Sequence, residues 1–389
     1  MDWQPSKDRG ALNDTPLLIK KGKMNYLQFS SESVCEGHPD KVCDQISDAI
    51  LDACYEVDPK ARVGVETLAT TNKLVLAGEI TVNGKIDFEA IARKKIAELD
   101  YLDPILQFTD KSDVEVYIHQ QSPDISIGVD DGGAGDQGMM FGYACRETPE
   151  LMPLPISMAH RLCRKMDELQ RIHRWMRPDG KSQVTVNYDG QTPVSIDRVV
   201  LAKPINYETA PADYSHFFYE NVVVPILAEY KFILSEDKMI LNGTGKWEIG
   251  GPTTDTGVTG RKIVVDTYGG MGRIGGGCFS GKDTSKVDRS AAYAARYIAK
   301  NVVAAGLCDR CEIQLAYAIG TVQPVGKAIE TFGTHKSDLK VIEDFAWNLL
   351  DLSPVGINTA LNLRIPMYQK TARYGHFGHI EYPWEKIKG

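Results

Sequence analysis

Apolar residues recur at three- and four-residue steps through Val42, Ile46, Ile50, Ala53 and Val57, and this spacing predicts an amphipathic helix starting near Pro39-Asp40. Two alternating runs follow: Val63 and Val65 lead the first, and Leu74, Leu76 and Ile80 mark the second. Thr71-Asn72-Lys73 supplies a turn between them, so the pair reads as a hairpin. A second helix is predicted from about Asp87, with Phe88, Ile91, Ala92, Lys95 and Leu99 on one face. A strand then runs through Val114, Val116 and Ile118.

The order returns twice. Residues 154–175 read as a helix, Gln183–Tyr188 and Val194–Leu201 as strands around Asp189-Gly190, and 213–230 as a helix. Then come a helix near 285–305, strands near 311–319 and 322–331, and a helix near 336–350. The copies share no sequence similarity and the period is too long for a solenoid. The pattern predicts an α+β protein of three similar units, each a sheet covered by helices on one face. The other faces need covering, so sheet packing between domains or subunits, and hence an oligomer, is expected. Residues 1–23 are polar and aperiodic and are set apart as a leader or disordered arm. The rest divides into an N-terminal domain at 24–125, a central domain at 126–252 and a C-terminal domain at 253–389.

Composition narrows the function. The chain of 389 residues is 43% hydrophobic and 25% charged, an ordinary globular balance. Its net charge of -8 argues against a general nucleic-acid binder. One stretch runs against that sign: Arg261, Lys262, Arg273, Lys282, Lys286 and Arg289 cluster in a glycine-rich region, which points to a phosphate site. The eight cysteines are scattered, and neither a signal peptide nor an apolar run of transmembrane length is evident, so reduced thiols in a cytoplasmic protein are expected. Cys308 and Cys311 form a lone CxxC without a second ligand pair, and packing is the favoured reading over zinc or redox chemistry. The histidines at 119, 160, 173, 216, 335, 376 and 379 show no metal-ligand grouping.

Four stretches carry candidate chemistry. In Ser33–Lys41, Gly37 and Pro39 bend the chain into a helix start that favours anions, beside His38, Asp40 and Lys41. A capped helix with solvated charges is the plainer alternative. Gly275–Asp283 is a glycine-rich loop in which Gly276, Gly281 and Lys282 fit G-x-x-x-x-G-K, but Asp283 replaces the Ser or Thr that would hold Mg²⁺. An apolar strand is read at Ile263–Val265 before it. Gly250–Lys262 places Asp255, Arg261 and Lys262 among glycines. Gly133–Gly138 has the composition of a gating loop, spanning about 121–138, although an ordinary flexible loop is the reading favoured from this stretch alone.

Three of these stretches together resemble one family. EGHPDK at 36–41, GAGDQG at 133–138 and GGGxFSGKD at 275–283 are similar to the signatures of methionine adenosyltransferases, also called S-adenosylmethionine synthetases. GEIT at 78–81, QSPDI at 121–125, DGKSQVT at 179–185, TGRKIVVDTYGG at 259–270, SKVDRSAAY at 285–293, YAIG at 317–320 and YGHFG at 374–378 agree, so the resemblance covers about 26–386.

The resemblance implies three α/β-sandwich-like domains in pseudo-threefold arrangement, with sheets packing at a dimer interface. It implies synthesis of S-adenosylmethionine from ATP, L-methionine and water in a homodimer or homotetramer, with the site between subunits. It implies catalytic roles for His38, Lys181, Arg261 and Lys282. ATP contacts would come from these and from Asp179, Lys246, Trp247, Asp255, Lys262 and Cys278. Methionine contacts would come from Glu79, Gln121, Asp136, Asp255 and Lys286. Asp40 and Asp288 are the implied ligands of two Mg²⁺ ions per site, and Glu66 that of one K⁺. Cys278 stands where alanine is usual, Trp247 where phenylalanine is common, and GGPTTDTG at 250–257 lacks one usual glycine. A P-loop ATPase, a non-catalytic regulatory subunit and an adenosyltransferase with an altered sulfur substrate are the rival readings.

Overall fold

The structure, a computed structural model, describes residues 28–120 and 132–388. The first helix, α1 (Pro39–Val57), starts where the spacing places it. His38 is its N-cap, and the ring Nδ1 accepts the Asp40 N–H at 3.2 Å. Val42, Ile46 and Ile50 are fully buried. The polar face is buried as well, because α1 is enclosed on both sides.

Three sheets form the frame, each with its own long helix on one face. The first, in the order β4-β3-β2-β9, comprises β2 (Arg62–Thr70), β3 (Lys73–Thr81), β4 (Asp113–Gln120) and the short β9 (Gly257–Val258). The expected hairpin is β2 and β3, and its turn is Thr71-Asn72, with Asn72 in the left-handed region at φ 51°. α1 packs on this sheet, with α2 (Phe88–Glu98) against α1. The second sheet is β1 (Gln28–Val34), β6 (Lys181–Asp189), β7 (Thr192–Ala202) and β8 (Met239–Leu241), in that order, under α3 (Leu154–Ile172). The third is β11 (Gly326–Glu330), β10 (Arg310–Tyr317) and β5 (Gly138–Cys145), in that order. Its helix, numbered α7 in chain order, is Val287–Ala304.

Each sheet draws a strand from a distant part of the chain. β1 precedes α1 yet pairs with β6, β5 pairs with β10, and β9 pairs with β2. Along β6 the side chains of Ser182, Val184, Val186 and Tyr188 are buried toward α3, while Lys181 lies on the opposite face. The core is therefore built between each sheet and its helix. Burying each large aliphatic side chain there contributes about 1.5–3 kcal/mol.

Two expected elements differ. The helix read over 213–230 is α4 (Tyr214–Phe218), then a wide π turn (Tyr219–Val223), then α5 (Val224–Glu229). Pro225 has no N–H to give to the carbonyl four residues back, and the Val224 N–H reaches Tyr219 instead. Ile263–Val265 is not a strand but the start of α6 (Ile263–Asp266). The single turn buries Val265 and Asp266 together, and Asp266 pairs with buried Lys41. The β-branched run thus loses to an ion pair that an extended chain would separate. The C-terminal helices α8 (Leu339–Trp347), α9 (Pro354–Ala360) and α10 (Tyr368–Thr371) close the chain around α7 and α1. Among the described residues no helix is long and apolar enough to cross a membrane. All eight cysteines are free thiols, and seven are buried.

Candidate active site

Four aspartates at four-residue spacing, Asp40, Asp44, Asp48 and Asp52, share one face of α1 and organise the site. Asp40 accepts the Val258 N–H at 3.0 Å, Asp44 the Gly260 N–H at 2.8 Å and Asp48 the Gly281 N–H at 2.9 Å. Asp52 accepts the N–H groups of Met367, Tyr368 and Gln369 at 2.8, 2.8 and 3.0 Å. One helix face thereby holds the 258–262 loop, the glycine-rich loop and the C-terminal segment. Sequence reasoning missed this role for Asp44, Asp48 and Asp52, although their four-residue spacing is the signal that could have found it.

At the helix start, Lys262 pairs with Asp40 at 2.5 Å. Burial pushes the Asp40 carboxyl up, but the Lys262 and Val258 hydrogen bonds outweigh it and hold the group below its usual range. His38 is buried and lowered to about 3, first by burial and then by the charges of Lys262 and Lys181. The imidazole is therefore neutral. Since Nδ1 accepts from Asp40 N–H, the proton sits on Nε2. A protonated imidazolium does not suit this surrounding.

The glycine-rich loop docks on β2. Val65 N–H bonds to Gly281 O at 3.0 Å and Asp283 N–H to Val63 O at 3.0 Å. Gly281 has φ +80°, and a Cβ there would lie 2.0 Å from Val65 O. Lys282 pairs with Asp288 at 2.5 Å, and a Cβ on Gly277 would lie 2.3 Å from the same carboxylate. Asp283 is buried, accepts the Val63 N–H at 2.8 Å and pairs with Lys286 at 2.6 Å. It is a strut of the loop, which together with the helical 263–266 turn separates this loop from a Walker A motif.

The two groups adjoin. A Cβ on Gly260 would meet Cys278 Sγ at 2.8 Å. Burial raises the Cys278 thiol, partly offset by Lys282, and Asp44, Asp288 and Glu66 act on it too. Asp136 acts on Lys282. A Cβ on Gly64 would lie 3.6 Å from Lys286 and 3.8 Å from Glu79, so these two expected methionine contacts are neighbours. Ala134, beside Asp136, exchanges backbone bonds of 2.8 Å with Gly320 and Thr321, which pins that end of the expected gating loop. Gln121 and the loop through residue 131 lie outside the described residues, as does the leader 1–23.

The remaining expected residues stand apart or face outward. Lys181, Asp255 and Arg261 are exposed and make no side-chain hydrogen bond or ion pair among the described residues. Asp179 is buried, with its oxygens on Gly180 N–H at 2.6 Å and Gly251 N–H at 2.8 Å. It anchors the 250–252 loop. Trp247 bonds to Ile249 O through Nε1 at 2.9 Å, and Lys246 lies 5.2 Å over the Tyr207 ring. These contacts hold Trp247 to its own loop and Lys246 to the Tyr207 ring rather than to His38 or Lys282.

Among the described residues no three His, Cys, Asp or Glu side chains converge as a preformed metal site. Asp40 and Asp288 instead each present one carboxylate beside a lysine. That hard-oxygen donor set fits Mg²⁺, which binds through one or two carboxylates plus phosphate oxygens. Glu66 offers an exposed carboxylate on the uncovered face of β2, a donor of the oxygen type K⁺ accepts.

Comparison with known proteins gives this geometry a family. Three family models match in succession: the S-adenosylmethionine synthetase N-terminal domain at residues 26–123, the central domain at 131–247 and the C-terminal domain at 249–386. The S-adenosylmethionine synthase of Treponema denticola is 50% identical over 378 residues, spanning 94% of this chain and 97% of its own. That of Sorangium cellulosum is 51% identical over 377 residues, spanning 93% and 88%.

Proposed function

The chain belongs to the S-adenosylmethionine synthetase family, and from that premise we propose that it makes S-adenosylmethionine from ATP and L-methionine. The observation that carries the reading is the joining of two loops on one helix: the aspartates of α1 hold the Lys262 loop beside the neutral, Nε2-protonated His38 and the Lys282 loop further along the same face, and the two loops meet at Gly260 and Cys278.

The methionine thioether attacks C5′ of ATP in line, and the C5′–O bond to the triphosphate breaks. The leaving group is tetra-anionic, so the step needs fixed positive charge where that charge develops. Lys181, Arg261, Lys262 and Lys282 supply it. His38 hydrogen-bonds the departing oxygen through its Nε2–H and keeps that proton throughout. Asp40 and Asp288 would hold two Mg²⁺ ions, and Glu66 a K⁺, which neutralise phosphate charge and order the site when bound. Glu79, Gln121, Asp136, Asp255 and Lys286 position methionine; Asp179, Lys246, Trp247, Asp255 and Cys278 complete the nucleotide site. The same cations then hold triphosphate for hydrolysis to pyrophosphate and phosphate. The outward-facing Lys181, Asp255 and Arg261 support a site completed by a second copy, in a homodimer or homotetramer of domains 24–125, 126–252 and 253–389 acting in the cytoplasm.

The test is product formation from ATP and L-methionine with Mg²⁺ and K⁺, read as S-adenosylmethionine by mass, with His38→Ala alongside. Product in the wild type and a loss of roughly 10²–10⁴-fold in the variant support the reading. Triphosphate release without a sulfonium product overturns methionine as the substrate.

A further inference from the structure

A second charged cavity lies on the other side of the β6 sheet. α3 and the segment 370–382 enclose about 310 Å³ there, on the face that Lys181 does not share. Arg164, Arg171, Lys370 and Arg373 line it.

Three of the four carboxylates that border it are already engaged. Asp167 pairs with buried Lys203 at 3.2 Å and accepts the Tyr374 hydroxyl at 2.8 Å and the Glu36 N–H at 2.9 Å. Glu36 is buried, and one carboxylate serves both Arg171 and Arg373. Two guanidinium groups thus share a single negative charge. Arg164 stacks over the Tyr374 ring at 5.0 Å, and neither it nor exposed Lys370 has a carboxylate partner among the described residues. Glu168 and Glu381 also border the cavity, and Glu168 lies 3.8 Å from Lys165. Four cations and four carboxylates line the cavity, but Lys203 takes up Asp167 and Lys165 lies beside Glu168, both from outside the lining, so the four cations face Glu36 and Glu381 alone, and three of the four are arginines. Their planar forks match phosphate oxygens.

We propose that this cavity binds a small phosphate-type anion, at a site separate from the candidate nucleotide site. Its charge balance is independent of the reaction catalysed there. Glu36 stands two residues before His38, and its carbonyl accepts the Gln45 side chain at 2.7 Å. An anion drawing Arg171 and Arg373 away from Glu36 thus acts on the loop that positions His38.

Inorganic phosphate and, separately, pyrophosphate are titrated calorimetrically into the full-length protein, into Arg164→Gln/Lys370→Gln and into Lys262→Gln/Lys282→Gln. Two binding sites per chain are expected in the wild type. The first variant should weaken one site by roughly tenfold or more and keep the other; the second should do the reverse. A single wild-type site that Lys262→Gln/Lys282→Gln removes overturns the proposal, as does an unchanged isotherm for Arg164→Gln/Lys370→Gln. Hydrogen exchange on the wild type provides a reading that needs no variant to fold. Pyrophosphate should protect 164–171 and 370–382, and absence of protection in both segments counts against the site.

Discussion

Asp48 and Arg289 close a bidentate ion pair of 2.6 and 2.9 Å in the fully buried interior, and the same carboxylate accepts the Gly281 N–H. Helix α1, helix α7 and the glycine-rich loop therefore meet on one side chain. Asp48→Asn keeps an acceptor for Gly281 but leaves a buried guanidinium without its counter-charge. A loss of about 3–5 kcal/mol is expected. Chemical denaturation of wild type and variant checks this, and a change under about 1 kcal/mol would contradict the pairing.

The glycine-rich loop makes a contrast between two of its glycines. Gly281→Ala places a methyl 2.0 Å from Val65 O, so loop and strand must separate. Gly276 has φ +96° with open space around it, so alanine there costs only the backbone strain, about 1–2 kcal/mol. Nucleotide affinity and melting temperature should both fall for Gly281→Ala. For Gly276→Ala only the modest stability loss is expected.

His38 is held neutral down to about pH 3 in the free protein. Its ring resonances should not titrate between pH 5 and 8 in nitrogen-15 spectra, and the non-protonated nitrogen should be Nδ1. A midpoint near 6.5 would show that neither burial nor the charges of Lys262 and Lys181 act on it.

Stability follows the same sign at two other rings. Burial lowers His160 and His376 well below the ordinary value, so between that value and their folded one the unfolded chain binds more protons. Their contribution is full above about pH 6.5 and is lost as pH falls. The stability gap between wild type and His376→Gln should shrink on acidification from pH 7 to 5, measured by denaturation at each pH. A gap that widens contradicts the neutral assignment.

Cys278 borders the Lys282 loop, but burial raises its thiol. Maleimide should modify it more slowly than free cysteine at neutral pH, and bound ATP should slow it further. Peptide mapping over time reads the rate, and rapid modification unaffected by ATP would place the thiol outside the nucleotide site.

Much of the frame is legible in the amino-acid order. The start of α1 follows from Pro39 and the apolar steps at 42, 46 and 50, and the β2–β3 hairpin from alternation around Asn72. These are local preferences, set by neighbours a few residues away. The Pro225 interruption is equally local, but a strong apolar run conceals it. The glycine-rich loop and its lysines are recognisable from composition and order, as is the family.

What the sequence by itself determined is thus the kind and order of elements, and the residue types brought to a phosphate-binding chemistry. The tertiary structure decided which strands join across the chain, so that β1 meets β6 and β9 meets β2. It turned Ile263–Asp266 into a helix because Asp266 is needed beside Lys41. It gave the aspartates of α1 their separate backbone partners, and it kept the His38 ring neutral. The physical reason is common to all four. Burial and charge pairing depend on groups hundreds of residues apart in sequence, and their energies appear only when the chain brings those groups together.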